Sequence, residues 1–192
     1  MGANPPRARS GRDSDQALMS RILARDMEAF EDLYRVYRPR LTRFLSKLVH
    51  RPQTVEEVMN DTLMVVWDQA HAFKGASQLS TWIFGIAYRK AMKALRRQDD
   101  PVDDPWADAR PSSDPTPEEA LGKQRAHMLL LRAIRELSPD HRAVVEFTYF
   151  HEMGYREIAE IMSCPVDTVK TRMFHARRNL KRQLAGELAD WL

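Results

Sequence analysis

Residues 155–182, YREIAEIMSCPVDTVKTRMFHARRNLKR, set the tightest limit on what this chain can fold into. Two short stretches of helical periodicity flank Ser163, Cys164 and Pro165. The first places Ile158, Ala159 and Met162 on one side, and the second does the same with Val166, Val169 and Met173. Opposite the second stripe stand Lys170, Arg172, Arg177, Arg178, Lys181 and Arg182, with no acid between Thr168 and Arg182. Pro165 suits the first turn of a helix, and Ser163 or Cys164 can cap it. A helix, a tight turn and a basic helix are what a protein needs to lay side chains into the DNA major groove. A solvated basic helix end accounts for the charge alone, but not for turn, cap, apolar stripe and charge together.

Within that second helix, Lys170, Thr171, Arg172, Phe174, His175 and Arg178 are the candidates for contacts to base edges. Arginine and lysine donate to guanine O6 and N7, and an aromatic ring touches a thymine methyl. Arg177, Lys181 and Arg182 are placed to grip phosphates, which fixes position without reading sequence.

The remainder of the 192-residue chain is also patterned for helices, and it has only 7 glycines. Leu18 and Ile22 open a stripe that Phe30, Leu33, Tyr34, Tyr37, Leu41, Phe44, Leu45 and Leu48 continue, with Pro39 marking a break or kink. The next helix is expected from Thr54 to Ala72, with Thr54 as N-cap and Glu57 completing a capping box. Val55, Val58, Met59, Thr62, Leu63 and Val66 form its inward side. A fourth helix is expected from Ser80 to Arg97, after a loop, His71 to Gln78, that turns at Gly75. Further on, a helix from Leu121 to Leu137 precedes Ser138, an N-cap, and Pro139, a first-turn residue. The expectation is an all-α protein of two small helical domains. It divides into a disordered lead-in at 1–14, a first domain at 15–97, a flexible acidic linker at 98–117 and a second domain at 118–192. The linker stretch is dense in proline and aspartate, with Arg110 as its single basic residue. Its acidity fits either a solvated tether or a nucleic-acid mimic lying in a basic channel of a partner.

Two further faces stand out in the first half. In KGASQLSTWIFGIAYRKAMKALRR, aromatic and basic residues interleave as a single-strand binder requires. Arg89, Lys90, Lys93, Arg96 and Arg97 are the better contacts there, since Trp82 and Phe84 fit a core as well as a stack. The helix from Thr54 carries Asn60, Asp61, Met64, Trp67 and Asp68 on its outer side. Large apolar groups ringed by acids suit a protein-binding patch, although Trp67 equally fits the edge of a core.

Composition excludes other classes. The single cysteine, Cys164, permits no internal disulfide, which agrees with a reducing compartment, and no apolar run reaches the roughly 18 residues of a membrane span. Residues 1–14 lack the apolar centre of a signal peptide, so a soluble, cytoplasmic protein is expected. The six histidines are scattered, no glycine-rich phosphate loop occurs and the acids form no recognisable pair. No catalytic residue, metal or cofactor is expected, and the chain is not expected to be an enzyme.

At this point the residues resemble a bacterial RNA polymerase sigma factor of the extracytoplasmic-function (ECF) class. The segments VEEVMNDTLMVVW and FKGASQLSTWIFGIAYRKAMKALRR look like sigma region 2, and LSPDHRAVVEFTYFHEMGYREIAEIMSCPVDTVKTRMFHARRNLKRQL looks like region 4. The resemblance implies that Glu56, Glu57, Asn60, Asp61, Met64, Trp67 and Asp68 bind core RNA polymerase. It implies that Phe73, Lys74, Gln78, Ser80, Arg89, Lys90, Lys93 and Arg97 read or hold the melted minus-ten element. Lys170, Thr171, Arg172, Phe174, His175, Arg177, Arg178 and Lys181 would engage the duplex minus-thirty-five element. It also implies an anti-sigma factor as partner. The rival reading is a stand-alone helix-turn-helix regulator that never joins polymerase.

Overall fold

The computed structural model describes residues 7–97 and 128–189, and the side chains of 14–97 and 128–185. Among the described residues the regular structure is helical, with no strand, so the fold class is all-α. The chain divides into two compact units: the first holds α1–α4 together with residues 160–163, and the second holds the rest of the helices from residue 128 on. The expected linker at 98–117 lies outside the described residues.

In the first unit, α1 (Arg7–Leu23) starts inside the stretch expected as a disordered lead-in. It buries Met19 and Ile22. The chain leaves it through Arg25 in the left-handed region (φ 64°). The Arg25 N–H meets the Ile22 carbonyl at 2.9 Å and the Asp26 N–H meets Arg21 at 3.0 Å, which satisfies the last carbonyls of the helix. Asp26 then caps α2 (Met27–Leu48), accepting from the Ala29 N–H at 3.2 Å and from Arg21 Nε at 2.7 Å. The Ala29 amide first, and Arg21 second, hold its carboxyl below the usual carboxylate range.

Pro39 does not end α2; it sits inside the helix, on the exposed side. Leu33 and Tyr37 before it and Leu41, Phe44 and Leu45 after it are buried, so the same core holds both halves in line. The capping box expected at Thr54 is also absent. α3 (Pro52–Asp68) begins two residues earlier, with Pro52 in its first turn, and Thr54 is buried within it. Proline supplies the helical φ in advance and lacks a donor that would be orphaned there anyway, so it displaces the hydroxyl cap. A short 3-10 turn, Ala70–Ala72, follows.

α4 (Leu79–Arg97) packs against α3 and α2 through Phe84, whose ring meets Phe44 edge-on at 5.4 Å. Phe44, Phe84, Leu41, Leu63 and Ile83 are essentially sealed from solvent. Each contributes about 1.5–3 kcal/mol by burial.

The second unit comprises α5 (described at 128–135), α6 (Pro139–Tyr149), α7 (Tyr155–Met162) and α8 (Val166–Ala189). Ser138 caps α6 by accepting from the His141 N–H, with Pro139 in the first turn, as the sequence predicts. Arg142 is buried with Glu146. Its Nη2 donates to the carbonyls of Arg135 and Leu137 at the end of α5. Burial pulls this guanidinium down to about 10, with Glu146 opposing, so it stays charged at neutral pH and closes the helix terminus.

The turn between α7 and α8 centres on Ser163, also left-handed (φ 51°). The Ser163 N–H bonds to the Glu160 carbonyl at 3.2 Å and the Cys164 N–H to the Ala159 carbonyl at 3.0 Å. That pair of bonds is the usual glycine-terminated helix end, here built with serine at a steric cost. Ser163→Gly should therefore stabilise the α7–α8 turn by about 0.5–1 kcal/mol. Slower amide exchange along α7 in the full chain would agree; faster exchange would show that the serine side chain is needed in the turn.

Candidate nucleic-acid interface

Burying one stripe of α3 leaves its opposite stripe to solvent. Val55, Val58, Met59, Thr62, Leu63 and Val66 are buried, and Glu56, Glu57, Asn60, Asp61, Met64 and Asp68 are exposed. Met64 is 51% exposed at the centre of that acidic row. Trp67 is half-buried at its edge. Its ring lies 4.9 Å from Phe30, and the Arg25 guanidinium stands 5.0 Å above it while donating to the Trp67 carbonyl at 3.2 Å. So Trp67 belongs to the rim of the core and presents one side outward.

The loop that turns at Gly75 is held by α1, a feature no local pattern announces. Asp15 Oδ2 accepts from the Leu79 N–H at 3.3 Å, so a residue of α1 meets the start of α4. Gly75 adopts φ 70°, a left-handed conformation that glycine takes without the strain another residue would meet, and the Gln16 side-chain amide lies against it. Lys74 and Gln78 are exposed, Ser80 is half-exposed, and Phe73 leans on Trp82 with ring centroids 5.6 Å apart. Phe84 and Tyr88 are buried, which settles Phe84 as core.

On α4, Arg89, Lys93 and Arg97 recur every four residues on one exposed side. Like charges at that spacing cost about 0.2–0.5 kcal/mol per pair in water, a cost a bound polyanion removes. Lys90 is turned aside and pairs with Asp61 of α3 at 3.0 Å. The acidic row of α3 and the basic row of α4 thus share an edge.

The third face lies on α8. Val169, Met173 and Ala176 are buried, and Lys170, Thr171, Phe174, His175, Arg178 and Lys181 are exposed. Phe174 is 62% exposed, its ring edge-on to His175 at 5.5 Å. Lys170 pairs with Asp167 at 2.9 Å, while the Thr171 hydroxyl donates to the Asp167 carbonyl at 2.9 Å. Two arginines behave differently from what charge pattern suggests. Arg177 donates to the Tyr149 hydroxyl at 2.9 Å and stacks toward its ring. Arg172 is half-buried, with Nη2 2.5 Å from Asp140 Oδ2 and Nη1 3.7 Å from Cys164 Sγ. Asp140, Tyr149, Asp15 and Gln16 are the partners sequence reasoning missed, because each acts on a residue far away along the chain.

Among the described residues no group of three or more His, Cys, Asp or Glu is placed to hold a metal ion, and no helix is long and apolar enough to cross a membrane.

Comparison with known proteins follows the same division. The family model Sigma-70 region 2 matches residues 33–100, and the model Sigma-70, region 4 matches residues 127–180. The chain is 32% identical over 164 residues to the ECF RNA polymerase sigma factor RpoE of Cereibacter sphaeroides, covering 84% of this chain and 89% of that one. It is 27% identical to the ECF RNA polymerase sigma-E factor of Haemophilus influenzae, covering 89% of this chain and 95% of that one. Among solved structures, the fold is similar to CnrH in complex with the cytosolic domain of CnrY (TM-score 0.66, 20% identity, 90% of this chain and 97% of that one). It is likewise similar to the sigma factor RpoE in complex with the anti-sigma factor NepR from Bartonella quintana (TM-score 0.61, 23% identity, 81% and 96%).

His141, on α6, lies beside His175 of the α8 face. Its ring centroid is 6.2 Å from that of His175, and partial burial first, then His175, lower its pKa from the ordinary histidine value, against Asp140. The unfolded chain therefore takes up this proton at a higher pH than the folded one. Stability from this group is present above the unfolded value and is lost as pH falls below it through the folded value. Between about pH 7 and about pH 5, the second unit of His141→Gln should lose less stability than the parent. Equal slopes in amide-exchange free energy against pH would remove His141 from the account.

Proposed function

The chain belongs to the ECF class of the sigma-70 family, and we propose that it works as a sigma factor by dividing three tasks among three faces. The acidic row of α3, Glu56, Glu57, Asn60, Asp61, Met64 and Asp68 with the outer side of Trp67, docks on core RNA polymerase at the clamp-helices coiled coil of its largest subunit. The loop 73–80 and Arg89 take up the melted minus-ten element, with one base flipped out of the stack and Phe73, Lys74, Gln78 and Ser80 around it. Stacking and pocket contacts of this kind contribute about 1–3 kcal/mol per base, enough to hold an unpaired base against re-pairing. Lys93 and Arg97 follow the backbone, and Lys90 joins them when its bond to Asp61 opens. On the second unit, Thr171, Phe174, His175 and Arg178 reach into the duplex minus-thirty-five element, and Lys170, Arg177 and Lys181 lie toward its phosphates. The domains of this reading are 15–97 and 118–192, and the acidic segment 98–117 runs through a basic channel of the polymerase. Promoter opening then relies on captured bases, with no bond chemistry by this chain, in the cytoplasm. An anti-sigma factor that covers these faces is the natural regulator, since a similar fold is seen bound to one.

The observation that carries this reading is the 62% exposure of Phe174 within a row of cations on α8, matched by the exposed row of Arg89, Lys93 and Arg97 in the other unit. A stand-alone regulator needs the face on α8 but has no use for the one on α4 or for the apolar centre of α3. Transcription with purified core polymerase, followed by start-site mapping, tests the whole: the chain should direct initiation at a defined subset of promoters, and core enzyme whose start sites never change would refute it.

Three substitutions separate the faces. Met64→Ala should weaken binding to core polymerase by about 1 kcal/mol without lowering the melting temperature, because the side chain is largely outside the core. Unaltered polymerase affinity would move the docking surface elsewhere. Lys93→Ala and Arg97→Ala should each reduce the slope of log affinity for melted promoter DNA against log salt by about 1, with base preference kept. An unchanged slope would mean that these cations do not meet phosphates.

A further inference from the structure

We propose that Arg172 does not read DNA but, with Asp140, forms a latch that fixes the rotation of α8 on the second unit. The inference rests on the reading of α8 as the minus-thirty-five helix. One guanidinium ties together three pieces of the unit: Nη2 meets Asp140 in the first turn of α6 at 2.5 Å, Nη1 meets Cys164 in the α7–α8 turn at 3.7 Å, and its own Cα sits on α8. Its side chain is 25% exposed and that of Asp140 38%, so the pair is sheltered more than an ordinary surface ion pair. Arg178 and Lys181, by contrast, are exposed.

Asp140 favours this arrangement twice. A carboxylate in the first turn of α6 is stabilised by the helix it starts, and it places negative charge beside the helix that must face phosphate. That charge neutralises Arg172, which then adds little to sequence-independent attraction. Arg177, bonded to Tyr149 at the last turn of α6, ties α8 to the other end of the same helix. Two points of attachment along α6, with Gln183 of α8 also donating to Glu136 at 2.8 Å, add fixed tilt and rotation to the buried contacts of Val169, Met173 and Ala176. Rotation decides which of Thr171, Phe174, His175 and Arg178 meets which base edge. Losing the latch should therefore cost discrimination, not charge-driven binding.

The test uses holoenzyme formed from core polymerase and the full chain. Its template is a promoter identified by start-site mapping, and the control is the same promoter with the upstream element scrambled. Open-complex formation is measured on both for the parent, Asp140→Ala, Arg172→Ala and the double variant, with melting curves confirming that each is folded at the assay temperature. The latch predicts a fall of about tenfold in the ratio between the two templates for each single variant, and no further fall in the double. It also predicts that Asp140→Ala works on the scrambled template at least as well as the parent, because the negative charge beside α8 is removed. Should Asp140→Ala unfold, Asp140→Asn keeps the acceptor and loses the charge, and its ratio should fall part of the way. If Arg172→Ala loses discrimination while the Asp140 variants keep it, Arg172 touches bases directly and the latch is wrong. Ratios unchanged in all variants reduce the pair to a fold contact and equally overturn it. A parent that ignores the scrambling refutes the assignment of α8 itself, a separate failure.

Discussion

A helix has one side to bury and one to show, and every candidate surface in this chain follows from that constraint. In α3 the stripe Val55, Val58, Leu63 and Val66 must meet α2 and α4, so the acidic row with Met64 cannot be hidden. In α8 the stripe Val169, Met173 and Ala176 is buried, so Phe174 and Arg178 cannot be. Hydrophobic burial thus aims the functional groups without any of them having to contribute to stability. Several oppose it: the stacked cations of α4 repel one another, and an exposed phenylalanine gains nothing from water.

Precision comes from a second layer of polar ties that run between helices. Asp15 at the start of α4, Arg25 above Trp67, and Asp140 against Arg172 each join an element to one distant in sequence. They bring modest stabilisation, since most are partly solvated. Their effect is on orientation, in a protein whose task is to present side chains to base edges within a fraction of an ångström. The first unit shows the same economy at its rim, where Lys90 bonds to Asp61 and so links the acidic and basic faces.

What the sequence made legible was local and periodic. The Ser138 and Pro139 start of α6, the buried stripe of α3 and the turn before α8 are all written in adjacent residues. What it hid was of two kinds. Local signals competed, as where Pro52 displaced the Thr54 cap, where the core overrode the break at Pro39, and where helix α1 took up residues 7–14. Long-range partners left no periodic trace: nothing beside Arg172 distinguishes it from Arg178, and only the fold brings Asp140 to one and leaves the other in solvent.

The central claim is that both units of one chain engage one promoter at the same time. Photocrosslinking tests it most directly, with a crosslinker at Phe174 in one holoenzyme preparation and at Lys93 in another, each on the same mapped promoter. The account predicts adducts from Phe174 to upstream duplex and from Lys93 to the melted strand near the start site. Adducts from Phe174 alone, with Lys93 silent on every open promoter, would contradict it.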